Sequence, residues 1–269
     1  MSAPILEVGD LAVRYGPIEA LSGVTLALAP GERLAVVGPN GSGKSTFLKA
    51  IVGLVGLDGG RLTVHSHAPG HDRCVAYVPQ RAAIDWSFPL SVADVVLMGR
   101  AHRIGWLRRP AAADRRAVRD ALDALGIAEL AGRRIGDLSG GQQQRVLIAR
   151  ALAQEARLVL MDEPLNHLDA ASAETVLAVL DRLAAAGVTV VAAMHDLAVA
   201  AARFDRVLLL ARRMVAVGPP DDVLTPDRLV AAYGGGLRIV DGPDGRLVLA
   251  DLGGHTPTPA APSMAPHGG

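Results

Sequence analysis

The sequence predicts an α/β fold: a core of alternating strands and helices, a peripheral antiparallel β region, and helices inserted between about residues 80 and 155. Three observations carry this. Short apolar β-like runs recur at Arg33-Leu34-Ala35-Val36-Val37, Leu158-Val159-Leu160-Met161 and Val188 to Met194. Gly38-Pro39-Asn40-Gly41-Ser42-Gly43-Lys44-Ser45-Thr46 follows the first run and leads into Phe47-Leu48-Lys49-Ala50-Ile51-Val52, which reads as helix. From about residue 91 to 154 the apolar spacing becomes helical.

The elements follow in order. Residues 5–13 and 24–29 read as strands around a Tyr15-Gly16-Pro17 turn, and 61–64 and 74–78 as further strands. Val92 to Met98, Ala111 to Leu125 and Gln142 to Gln154 carry apolar residues at helix spacing, as does Ala170 to Ala185 between the last two core strands. Residues 205–210 and 213–217 predict a hairpin. So do Ile239-Val240 and Leu247-Val248-Leu249 around Gly242-Pro243-Asp244-Gly245. We therefore expect a main domain over 1–235, a hairpin extension over 236–252 and a disordered Gly/Pro/Ala/Thr tail over 253–269.

Composition narrows the classes. A chain of 269 residues is long enough for one large α/β domain or a core with a subdomain. Lys+Arg and Asp+Glu are both 27, which argues against a broad nucleic-acid-binding face. No apolar run approaches the roughly 18 residues of a membrane span, and Met1-Ser2-Ala3-Pro4 lacks the basic and apolar parts of a signal peptide. Cys74 is the only cysteine, so no intrachain disulfide forms; it reads as a buried structural thiol.

The glycine-rich segment fits the phosphate-binding P-loop, G-x-x-x-x-G-K-[ST], in the strand–loop–helix context that the motif needs. Gly38, Gly41 and Gly43 let the backbone turn sharply, and Asn40, Ser42 and Thr46 complete a loop whose N–H groups face an anion at a helix N-terminus. Lys44 reaches β/γ-phosphates and the Ser45 hydroxyl ligates Mg²⁺. The ligand is a nucleoside triphosphate. Leu158 to Met161 ends in Asp162 and Glu163, and acids at the end of a buried strand are costly unless paired or metal-bound. Asp162 is the candidate for Mg²⁺; Glu163, one residue on, is the candidate to orient or deprotonate an attacking water. Leu138-Ser139-Gly140-Gly141-Gln142-Gln143-Gln144-Arg145 opens another helix, with Ser139 as N-cap and bare N–H groups at Gly140 and Gly141.

That octapeptide, upstream of the Asp-Glu strand, resembles the signature of the nucleotide-binding subunits of ATP-binding cassette (ABC) transporters. The resemblance covers about residues 5–220 and implies a P-loop NTPase cassette core. It implies an adenine-stacking Tyr15, a Q-loop Gln80 that touches Mg²⁺, a D-loop at Asn166-His167-Leu168-Asp169 (Ser-Ala is common at its first two positions) and a switch His195 at the γ-phosphate. It also implies a head-to-tail homodimer, in which Ser139, Gly140, Gly141 and Gln142 of one copy close over ATP held by Lys44 of the other. The work would be done on an integral membrane permease at the cytoplasmic face, supplied by an extracytoplasmic solute-binding protein. The segment Asp85 to Arg100, with Trp86 and Phe88, is similar to ATPases of manganese and zinc uptake systems; importers of iron chelates, haem and cobalamin share a looser version ending in Met-Gly-Arg. Trp86 and Phe88 serve either as a docking surface or as core, and Tyr77 reads as core. His65, His67 and His71 have no Cys or carboxylate cluster to complete a metal site, although Asp72 is adjacent. A soluble cassette protein would carry two cassettes or a coiled-coil insertion, and a GTPase an Asn-Lys-x-Asp motif; neither is present.

Overall fold

A computed structural model describes residues 3–70, 74–80, 84–105, 108–234, 237–241 and 247–251. The expected 253–269 tail, His71, Trp106 and the 242–246 turn lie outside them. Among the described residues, one six-stranded sheet runs in the order β5-β6-β7-β3-β8-β9: β5 is Val75–Val78, β6 Leu158–Asp162, β7 Thr189–Met194, β3 Arg33–Val37, β8 Arg206–Leu210 and β9 Met214–Gly218. The first five are parallel and β9 is antiparallel to β8, as the 205–217 hairpin predicts.

The apolar runs make sense once both faces are covered. Ala35, Val37, Val159, Met161, Val190 and Ala192 point into one core cluster. Their alternates Leu34, Val36, Leu158, Leu160, Val191 and Ala193 point into another. The second cluster is closed by α1 (Lys44–Ile51) and by the peripheral antiparallel sheet β2-β1-β4. In it, β1 (Leu6–Tyr15) pairs with β2 (Ile18–Leu28) and β4 (Gly59–Val64). β2 starts at Ile18, six residues before the expected position, because pairing of Ile18, Glu19 and Leu21 with β1 continues across register shifts.

The first cluster is closed by the helical insertion. It comprises α2 (Val92–Leu97), α3 (Ala101–Ile104), α4 (Ala112–Ala124) and α5 (Gly140–Ala153), with α2, α4 and α5 packed on one another. The expected helix to Met98 ends at Leu97 and continues as a 3₁₀ turn, Met98–Arg100. Gly99 in that turn lies against α5, where an added Cβ would stand 2.2 Å from the Arg150 carbonyl oxygen. Arg100 is buried. Its Nε donates to Asp114 at 3.1 Å and its NH1 to the Ala153 carbonyl at 3.0 Å, so it caps the last turn of α5.

α6 (Ala170–Ala185) begins at Asp169, whose side chain accepts from Ser172 N at 2.7 Å. Three short helices escaped the periodicity: α7 (Leu197–Arg203), capped by Asp196, and α8 (Pro220–Val223) and α9 (Pro226–Tyr233), each with proline in its first turn. Arg33 joins β3 to its neighbours through Asp205 and Asp181, each at 2.8 Å. β10 (Leu237–Asp241) and β11 (Leu247–Asp251) pair antiparallel. Cys74 is half-buried rather than buried, since it precedes β5 at the edge of the sheet.

Candidate nucleotide site

Parallel strands release their following loops at one edge of the sheet, where ligands of such folds bind. The P-loop follows β3, Gln80 follows β5, Asp162 and Glu163 end β6, and His195 follows β7. α1 packs across β6 and β7. This brings Ser45, in its first turn, to Asp162, with Oγ donating to Oδ1 at 3.0 Å.

The loop itself is built by close approach. Gly38 has φ 151°, and a Cβ there would lie 2.1 Å from the Leu210 carbonyl oxygen. Gly43 precedes α1 at φ 98°, and no side chain caps the helix, so its first N–H groups remain available. Lys44 is 5% exposed, and its Nζ donates to the carbonyls of Gly38 at 2.8 Å and Pro39 at 3.1 Å. Burial lowers its ammonium below the usual lysine range, against the pull of Glu163 and Asp162. A cavity of about 250 Å³ opens over the loop, lined by Asn40 to Thr46, Glu163, Ile18, Glu19, Ala20 and Arg212.

Asp162 is 2% exposed, and burial pushes its carboxyl above the usual carboxylate range while Ser45 draws it back. The Tyr77 phenol is held well above its ordinary value, by burial first and then by Asp162. Glu163 sits at φ 53°, a left-handed conformation that a side chain rarely adopts. Three side chains meet its carboxylate. Gln80 Nε2 donates to Oε2 at 2.6 Å, Asn166 Nδ2 donates to the same oxygen at 2.5 Å, and His195 Nε2 lies 2.6 Å from Oε1.

Not every expected site residue joins this cluster. Tyr15 ends β1, half-exposed, and the cavity is lined instead by its register partner Ile18. Ser139, Gly140, Gly141 and Gln142 do not line the cavity. They form the start of α5, with Ser139 Oγ accepting from Gln142 N and Gln142 Oε1 accepting from Ser139 N. Glu19 and Arg212 were missed, because they carry no motif; Asn166 was placed in the D-loop but its contact with Glu163 was not foreseen. Of the two open aromatics, Trp86 packs against the core and Phe88 is 63% exposed. Beside α2 a groove of about 700 Å³ is lined by Leu97, Met98, Ile104 and Pro110 among others. His65 and His67 form the turn after β4.

A glycine loop on a helix N-terminus, a buried lysine and paired strand-end acids define a P-loop nucleoside triphosphatase. Residues 21–166 match the ABC transporter family, and the chain belongs to it; it is an ATPase of that family. It is 42% identical to the manganese transport system ATP-binding protein MntB of Halalkalibacterium halodurans, over 91% of this chain and 98% of that one. It is 43% identical to the zinc transport system ATP-binding protein TroB of Treponema pallidum, over 87% and 88% respectively. An ABC transporter of metal-chelate type, solved in an inward-facing conformation, superposes with a TM-score of 0.78 at 32% identity, over 92% of this chain and 98% of that one.

Proposed function

We propose that this subunit hydrolyses ATP to drive import of a divalent transition metal ion, zinc or manganese, through a partner permease at the cytoplasmic face of the membrane. The likeness to manganese and zinc transport ATPases over nearly the whole chain carries the reading. The exposed Phe88 and Met98 and the groove beside α2 supply a permease-docking face, and an extracytoplasmic solute-binding protein delivers the cargo. The iron-chelate, haem and cobalamin alternatives draw support from the metal-chelate relative.

In this reading the P-loop amides and Lys44 grip the β/γ-phosphates, and Tyr15 stacks on adenine. Mg²⁺ fits the site: a buried carboxylate beside a hydroxyl offers two ligands, and among the described residues no group of three His, Cys, Asp or Glu converges to cage a metal. Ser45 and Asp162 would hold it, with Gln80, bonded to the adjoining Glu163, as a further candidate, and its other positions would go to phosphate oxygens and water. When bound, it supplies charge neutralisation on the triphosphate. Glu163 accepts the proton of the attacking water as the bond from the γ-phosphorus to the bridging oxygen breaks, leaving ADP and phosphate. His195 holds the γ-phosphate. Ser139 to Gln142 would serve a second copy, in a site shared across a homodimer; their place off this chain's cavity supports that reading.

The test is Glu163→Gln in the assembled transporter. ATP should still bind while hydrolysis and metal uptake fall away. Wild-type turnover in that variant would refute the base. A deletion strain should recover growth with added zinc or manganese; rescue only by an iron chelate would move the cargo to the alternative.

A further inference from the structure

We propose that Asn166 is a positioning residue for Glu163, holding its carboxylate by Oε2 in the orientation in which it lines the P-loop cavity. The proposal rests on Glu163 being the base. A carboxylate only accepts, so the 2.5 Å contact must be made by the amide Nδ2–H, which fixes how the Asn166 side chain is turned. Charge-assisted bonds of this kind are the short and strong ones.

The three partners of Glu163 differ in how they are attached. Gln80 is 83 residues away and leads into the helical insertion; His195 is 32 residues away and follows another strand. Both are also the groups assigned above to Mg²⁺ and the γ-phosphate, duties that draw them off the carboxylate. Asn166 lies three residues downstream, in a turn closed by its own backbone N–H on the Glu163 carbonyl at 3.2 Å, with Pro164 fixing the chain between. Its bond travels with Glu163 whatever the other loops do. Glu163 sits in a left-handed backbone conformation at the head of that turn, and of its three side-chain bonds the Asn166 one is made within the same short stretch of chain. A serine hydroxyl would stand one bond shorter than the asparagine amide, so this contact calls for the longer side chain.

The experiment compares Asn166→Ala and Asn166→Asp with wild type in the assembled transporter, measuring steady-state hydrolysis and ATP binding. The first removes the donor; the second keeps size and shape but turns the donor into an acceptor facing a carboxylate. Misplacing a base by a fraction of a bond length costs about tenfold or more in turnover. We expect kcat to fall about tenfold in Asn166→Ala and further in Asn166→Asp, with KM and ATP affinity within about twofold. In a Glu163→Gln background, Asn166→Ala should add no further loss of single-turnover rate. Turnover near wild type in Asn166→Asp, or a loss that appears in KM instead of kcat, overturns the proposal. A dead Glu163→Gln beside an unimpaired Asn166→Ala overturns it alone; a fully active Glu163→Gln overturns the base assignment beneath it.

Discussion

Adding one methyl group at Gly99 measures how closely the helical insertion is seated on α5. The new Cβ would lie 2.2 Å from the Arg150 oxygen and 3.2 Å from its carbon, both helix backbone that cannot swing aside. Relief needs a displacement of about 1 Å, which places the cost near the upper end, about 3 kcal/mol, of what overpacking a closed interior exacts. Alanine returns about 1 kcal/mol through its better helix propensity. The net is about 2 kcal/mol, or about 4–8 °C in the thermal midpoint for a chain of this size. Gly132→Ala is the control, since an added Cβ there meets no atom within 4 Å. Scanning calorimetry of the two variants decides the matter. If Gly99→Ala melts within about 1 °C of wild type, the close approach to α5 does not exist as described.

Asp205→Asn tests the Arg33 network. Hydrogen bonds from Arg33 hold the Asp205 carboxyl below its ordinary value, so the pair stabilises above the unfolded pKa, about 4, and that stabilisation is lost as pH falls through the folded value. The variant should melt below wild type at pH 7, and the gap should close as the pH is lowered past about 4; a gap independent of pH would refute the ionic origin. Phe88→Ala should leave the melting temperature of the isolated chain unchanged and weaken co-purification with the permease. Full recovery of the permease would remove Phe88 from the docking face.

How much of this was readable beforehand depended on whether a feature is contiguous. The P-loop, the Asp162-Glu163 strand end and the α5 cap each occupy one short stretch, where spacing alone dictates geometry. The parallel core strands were likewise legible, because burial on both faces leaves an uninterrupted apolar run. Asn166 was visible only as a departure from a common D-loop residue, because its role depends on where the Glu163 carboxylate points. Arg212 reaches the cavity because its turn is held by backbone bonds to Ser22 and Ser42, far off in sequence, while Glu19 is carried there in the β1–β2 hairpin. Arg100 looked like the end of a docking motif. Its burial follows from the Ala153 carbonyl that it caps, which no local pattern announces. The early start of β2 and the proline-initiated α8 and α9 were lost for a similar reason, since tertiary pairing and fixed φ overrode weak periodicity.

The arginine cap gives α5 a mechanical character. One end of this 14-residue rod is pinned by Arg100, next to the groove residue Met98; the other ends in Ser139, off the nucleotide cavity of its own chain. At about 1.5 Å per residue the rod is about 21 Å long, so tilting the pinned end by about five degrees carries the Ser139 end through about 2 Å. That distance separates a hydrogen bond from none. Under the role proposed for Ser139, a small movement felt at the groove becomes, at the far end of the rod, the difference between gripping an anion and letting it go.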